Sequence, residues 1–400
     1  MTLVLACPGS KSMTQRALIL AALGQGVSRV RGALICDDSR YLTEALRLLG
    51  TEVTWQGTDV DIAPGPIRGG DAVLYCGNAG TAVRFLSALS LLSSSPFSVD
   101  GDSHMRGRPI GALANALTSM GARVSFPVRA GYPPIRIEPP AGEAMSEVQV
   151  DGSLSSQYAT GLLLVAPRLP RGLRLTLSGE AVSRPYLDMT VAMMGQAGAK
   201  AHWSSTAEIV VEPGGYRSTE FDIEPDWSAA AFLLAAGFVV GRPVEVPGLR
   251  PPGESLQGDA AFALFLDRLR TGGGQSFDLT DVPDLLPPLV VAALFADGPT
   301  RIRGAAHTRV KESDRLAVLA RGLKRVGARV WEHDEGLDLE PLDGPPTGTV
   351  ELDPDDDHRM AMAFGLLSLR MPGISVANPG CVAKSFPDFW DVLGRIKAST

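Results

Sequence analysis

Cysteine is scarce: Cys7, Cys36, Cys76 and Cys381 are the only four in 400 residues, and no two form a CxxC pair. That spacing excludes a small disulfide-stapled scaffold and the common zinc-site patterns, and it predicts free thiols in a reducing compartment. Excess positive charge is missing too. With 37 Lys and Arg against 44 Asp and Glu, the formal net charge is −7. A nucleic-acid or anionic-membrane surface needs a basic field, so neither partner is expected, and any anion-binding cations must be concentrated locally. Long apolar runs are absent. The longest, Leu285 to Phe295, contains Pro287-Pro288 and is too short to span a bilayer. The N-terminal apolar stretch meets Pro8-Gly9 and Lys11 before it resembles a signal peptide. A cytoplasmic location is the expectation. No G-x-G-x-x-G opens the chain, which argues against a doubly wound dinucleotide fold, and Gly272-Gly273-Gly274 follows a helical pattern and reads as a turn.

What is present is a repeat. A helical stretch ending in glycine and leading into a strand recurs around Gly50, Gly121, Gly198 and Gly327. Glycine is the residue expected just past a helix end. Between 14 and 18 residues later, a second strand closes on Pro64, Pro139, Pro213 or Pro341, a spacing suited to a hairpin. A degraded copy lies near Leu266 to Phe277. The period is about 70 residues, too long for a solenoid, and indicates an α/β supersecondary module used five or six times. At this length two domains are expected. The fold class is therefore α/β, with mixed sheets and helices gathered inside.

Charge is concentrated in short segments. Arg309-Val310-Lys311-Glu312-Ser313-Asp314-Arg315 places five ionisable residues in seven positions. If it opens a helix, Lys311, Glu312 and Arg315 fall near one face. Alone it reads equally well as a solvated face of ion pairs. Other segments couple a cation or amide to a tight turn: Pro8-Gly9-Ser10-Lys11-Ser12 with Arg16, Gly77-Asn78-Ala79-Gly80-Thr81 with Arg84, Arg106-Gly107-Arg108-Pro109, Ser155-Ser156-Gln157, Asp357-His358-Arg359 and Ala383-Lys384-Ser385. Read individually, Ser155-Ser156 suits a helix N-cap, and Asp353 to Asp357 suits a solvated turn better than a metal loop. No metal is implied.

Taken together and in this order, these motifs resemble the enolpyruvyl transferases along nearly the whole chain, most closely the branch acting on shikimate 3-phosphate. The resemblance implies a two-domain inside-out α/β barrel-like fold, each domain holding three β-α-β-α-β-β units with helices inside. Residues 1–10 with 225–400 would form the lower domain and residues 11–224 the upper, with the active site in the cleft between them. It implies a monomer without cofactor that joins phosphoenolpyruvate to the 5-hydroxyl of shikimate 3-phosphate and releases phosphate, a step toward chorismate and the aromatic amino acids.

Such a reaction gathers two phosphates and two carboxylates, whose repulsion must be offset by guanidinium and ammonium groups. The resemblance assigns Arg315 and Arg359 to the phosphoenolpyruvate carboxylate, and Lys11, Gly80, Arg108, Gln157 and Lys384 to its phosphate side. Gly80, lacking a Cβ, would permit close approach to backbone amides. Ser155, Ser156 and Ser183 would meet the 3-phosphate, with Lys11 and Gln157 nearby. Tyr186 would pack beside the ring, and Ser12, Arg16 and Lys311 would hold its carboxylate and hydroxyls. Glu312 matches the proton donor to the methylene carbon and Asp284 the base at the 5-hydroxyl, with Lys311 a possible relay and His358 an assisting hydrogen-bond partner. A carboxyl in such work needs a pKa displaced toward neutrality.

Four positions depart from the family pattern: Gln15 and His307 replace asparagines, Phe85 replaces proline, and His104 replaces arginine. Transfer to another alcohol, such as a nucleotide or a UDP-sugar, is the alternative chemistry. The amino-sugar branch usually carries a cysteine in the loop matching Asp102 to Pro109, and this chain has none there. A non-catalytic anion-binding homologue would be expected to have lost some of these charges.

Overall fold

A computed structural model describes residues 2–344 and 348–399; Met1, Thr400 and residues 345–347 of the expected lower domain lie outside them. The chain divides into two compact units, Gly9–Ile223 and the discontinuous Met1–Pro8 with Glu224–Thr400.

The continuous unit holds three four-stranded sheets, each with one parallel pair followed by an antiparallel hairpin. Every hairpin lies where a glycine-ended helix precedes a proline-closed strand. Glu52–Gln56 pairs with Asp59–Ala63, Arg123–Ser125 with Ile135–Glu138, and Ala201–Ser205 with Glu208–Val211. The punctuating glycines adopt positive φ, 106° at Gly50 and 99° at Gly121, a region costly for any side chain. Helices Lys11–Ala22, Gly80–Leu89 and Ser156–Val165 are buried along nearly their whole length. Helices Asp37–Leu48, Gly111–Ser119 and Arg184–Gln196 are buried on one face only. Gly80–Leu89 and Ser156–Val165 are apolar around most of their circumference, as a central helix requires, while Lys11–Ala22 is apolar only in its second half and buries Thr14, Gln15 and Arg16 in its first.

The discontinuous unit repeats the plan incompletely. Among the described residues, one sheet has four strands in the same arrangement, built from Gln275–Asp278, Thr300–Arg303, Gly336–Leu339 and Val330–His333. The other two sheets are parallel pairs, Leu3–Val4 with Val244–Glu245 and Val350–Leu352 with Ile374–Val376. Among the described residues those two modules show no closing hairpin, within the expected two-domain mixed α/β plan. The degraded copy near Leu266 to Phe277 is helix Phe262–Arg270 followed by the first strand of the four-stranded sheet. Helices Trp227–Val240, Leu286–Leu294 and His358–Leu367 form the buried centre. No described helix is long and apolar enough to cross a membrane.

Candidate active site

In the continuous unit, Ser10 caps helix Lys11–Ala22, its hydroxyl accepting from Met13 N. The cap sets Lys11, Ser12 and Gln15-Arg16 on the first turns. Lys11 Nζ lies 3.2 Å from Asp38 Oδ2, which also accepts from Gln15 Nε2 at 3.3 Å. Arg16 is only 3% exposed. It donates through Nε to Thr190 Oγ1 at 2.8 Å, through Nη1 to the Ser12 carbonyl at 2.9 Å, and through Nη2 to the Tyr186 carbonyl at 3.0 Å. Every acceptor is neutral. Burial pulls its pKa down to about 10, which the nearby Tyr186 opposes.

Ser183 has a left-handed backbone, φ 59°, at the N-cap of helix Arg184–Gln196, and its hydroxyl makes no cap bond. That hydroxyl is buried without any hydrogen-bond partner. Buried polar atoms are nearly always paired, and this hydroxyl keeps its hydrogen-bonding capacity for a water or a ligand. Ser155 caps helix Ser156–Val165, accepting from Gln157 N at 3.2 Å. The cap reading is thus correct, and the hydroxyl hydrogen remains to donate. Ser155 and Ser156 sit at a helix N-terminus, where first-turn N–H groups favour an anion.

Gly80 opens helix Gly80–Leu89, and its missing side chain serves a different neighbour from the one expected. A Cβ there would stand 2.7 Å from Arg108 Nη2 and 2.8 Å from Arg108 Cζ. The clearance admits the Arg108 guanidinium, which donates to Asn78 Oδ1 at 3.2 Å. Gln157 Nε2 reaches Thr81 Oγ1 at 3.3 Å. The carbonyl of Pro109, next to Arg108, is fixed by Arg84 Nη2 at 2.8 Å and Tyr158 OH at 2.9 Å.

In the discontinuous unit, Lys311 and Glu312 do not open a helix. Residues 306–310 form a short 3₁₀ turn, and the helix is Arg315–Arg325, capped by Asp314, whose side chain accepts from Ala317 N. Asp314 is the better N-cap, so the helix starts there. Arg315, 1% exposed, is the hub. Its Nε donates to Asp357 Oδ2 and its Nη1 to Asp284 Oδ1, both at 2.8 Å, while Nη2 donates to Glu312 Oε2 at 2.9 Å. Arg359 Nη2 holds the other oxygen of Asp284 at 2.8 Å, and Lys384 Nζ lies 3.4 Å from Glu312 Oε1. His358 is fully buried, its Nδ1 3.6 Å from Asp357 Oδ1.

Electrostatics here differ from expectation. Burial opposes the charge on Asp284, but Arg359, Arg315 and Lys311 outweigh it and hold that carboxyl well below the usual carboxylate range. Asp259 is displaced toward neutrality, pushed up to about 7 by burial and by the charge of Asp284. His307 is kept neutral, lowered to about 4 by burial and by Lys311. Its Nε2 is also a buried atom without a partner.

Sequence reasoning missed Asp38, Asp259, Thr190, Tyr158 and Asp357. The run Asp353 to Asp357 is not wholly a solvated turn: Asp353, Asp355 and Asp356 are exposed, but Asp357 is buried, caps helix His358–Leu367 and anchors Arg315. An Asp directly before an apolar helical run was the available signal. Among the described residues, no group of three or more His, Cys, Asp or Glu is arranged to hold a metal. All four cysteines are free thiols.

A family model described as EPSP synthase (3-phosphoshikimate 1-carboxyvinyltransferase) matches residues 2–393. The chain belongs to the EPSP synthase family. It is similar to the 3-phosphoshikimate 1-carboxyvinyltransferase of Thiobacillus denitrificans, 38% identical over 418 residues, covering 97% of this chain and 95% of that protein. The protein of the same name from Sulfurovum sp. is 37% identical over 415 residues, covering 98% and 96%. The solved EPSP synthase of Acinetobacter baumannii superposes with a TM-score of 0.79 at 24% identity, covering 98% of this chain and 95% of that one, which carries the fold.

Proposed function

We propose that this EPSP synthase family member transfers the carboxyvinyl group of phosphoenolpyruvate to the 5-hydroxyl of shikimate 3-phosphate, releasing inorganic phosphate on the route to chorismate. The observation that carries the reading is Arg16, a buried guanidinium bonded only to neutral oxygens. A buried cation without a counter-ion is expensive unless a ligand supplies one. The acceptor's carboxylate is that ligand, with its 3-phosphate on Ser155, Ser156 and the unspent Ser183 hydroxyl. Lys11, Arg108 and Gln157 are assigned to the donor phosphate, Arg315 and Arg359 to the donor carboxylate, and Lys384 to the donor phosphate.

The chemistry follows as addition and elimination. The 5-hydroxyl oxygen bonds to C2 of phosphoenolpyruvate while C3 gains a proton; then C3 loses a proton and the C2–O bond to phosphate breaks. Glu312 carries the proton to and from C3, and Asp284 takes the hydroxyl proton, with Lys311 beside them. In the free protein Asp284 is too acidic for that work. A donor carboxylate that engages Arg315 and Arg359 draws those cations away and raises the basicity of Asp284 at the moment it is needed. The same reading takes the enzyme to be a cytoplasmic monomer.

Phosphate release from phosphoenolpyruvate, measured with shikimate 3-phosphate, shikimate and UDP-N-acetylglucosamine as acceptors, tests the acceptor assignment. Shikimate 3-phosphate is expected to react. Shikimate is expected to lose on the order of a hundredfold or more in kcat/KM, because the phosphate seat is left unpaired. Robust turnover of the nucleotide sugar with none of shikimate 3-phosphate contradicts the assignment and leaves the transfer chemistry standing.

A further inference from the structure

The Arg16 guanidinium has aromatic company. Its Cζ lies 5.7 Å from the centroid of the Phe85 ring and 6.0 Å from that of Tyr186. Phe85 is 1% exposed, so the contact is shielded from water, where a cation over a ring face counts most. The Thr190 hydroxyl and the Ser12 and Tyr186 carbonyls orient the fork without neutralising it. A carboxylate partner would have oriented it as well, but would have occupied the donors that a substrate needs. A ring quadrupole attracts the cation and leaves its charge and its remaining N–H groups in place.

We propose that Phe85 is a positioning residue for the acceptor: its ring face holds Arg16 cationic, oriented and open to the carboxylate of the substrate. Phe85 acts only through Arg16. It stands on helix Gly80–Leu89, whose first residue gives clearance to Arg108, so one helix sets a cation assigned to the acceptor and another assigned to the donor. This inference rests on the transfer reading above.

Steady-state kinetics of wild type, Phe85→Leu, Phe85→Met and Phe85→Tyr, with melting temperatures alongside, test it. Leu and Met remove the ring, and Met fills nearly the same space, so at least one ring-less variant is expected to fold. Loss of a desolvated cation–π contact should raise KM for shikimate 3-phosphate roughly 5- to 30-fold. KM for phosphoenolpyruvate should stay within about twofold. Phe85→Tyr keeps a ring and should keep acceptor KM within about threefold. An acceptor KM unchanged in both ring-less variants overturns the proposal. So does a rise shared equally by Phe85→Tyr, or by both substrates, since that reports loosened packing instead of a lost ring face. Wild-type protein that cannot turn over shikimate 3-phosphate at all defeats the transfer reading first and this proposal with it.

Discussion

Glu312→Gln is expected to lower turnover by about a hundredfold or more while phosphoenolpyruvate still binds. Glutamine preserves the shape of the side chain and can still accept from Arg315 Nη2, now bonded to Glu312 Oε2 at 2.9 Å. What it lacks is the exchangeable proton. The substitution also removes a negative charge 3.4 Å from Lys384 Nζ, so attraction for the donor's anions should not weaken, and KM for phosphoenolpyruvate should hold or fall. Deuterium entry from solvent into the donor methylene group should slow in step with turnover. Normal exchange in the variant moves the proton-donor role to Lys311.

Arg315→Met is expected to cost stability as well as activity. It takes the guanidinium from Asp357, which has no exposed side-chain surface, and one of the cations from Glu312 and Asp284, which keep Lys384 and Arg359. Removing one member of a buried charged set typically costs about 3–5 kcal/mol, because the remaining charges stay desolvated. For units of this size the melting temperature should fall by roughly 10 °C. The pH dependence separates this from simple cavity formation. In wild type the pKa of Asp284 is depressed, so its contribution is present at neutral pH and is lost only as pH falls below the ordinary carboxylate range. In the variant the buried charge of Asp357 has lost its guanidinium, so protonation relieves the penalty and stability should recover as pH is lowered from neutrality. A melting temperature unchanged at neutral pH, or falling steadily with acid, contradicts the assignment of Arg315 as the hub.

How much of this was legible differs from residue to residue. The hairpins were visible because a glycine past a helix and a proline past a strand leave local marks in the chain, as around Gly50 and Pro64. The two modules whose described strands form only a parallel pair carry no such marks. Of the three residues expected on one face, Glu312 and Arg315 do meet, but for a different reason. Glu312 and Arg315 meet across the cap at Asp314, not along a helix face. Partners distant in sequence were invisible. Nothing near Lys11 announces Asp38, and nothing near Arg16 announces Thr190 or the ring of Phe85. Asp357 was hidden by its own company, since only the last carboxylate of an acidic run turns inward. The strong acidity of Asp284 could not be foreseen either, because it arises from cations in two segments distant from it in sequence, Lys311 with Arg315 and Arg359.

The central claim is carboxyvinyl transfer, and it is tested most directly by which bond of phosphoenolpyruvate breaks. Phosphoenolpyruvate carrying heavy oxygen in the bridge between C2 and phosphorus is incubated with the protein and shikimate 3-phosphate, and the released phosphate is analysed by mass spectrometry. Addition at C2 followed by elimination cleaves the carbon–oxygen bond, so the account predicts that the heavy oxygen leaves with phosphate and that the acceptor gains an enol ether. Heavy oxygen retained in pyruvate, with phosphate free of label, would show phosphorus–oxygen cleavage and contradict the account.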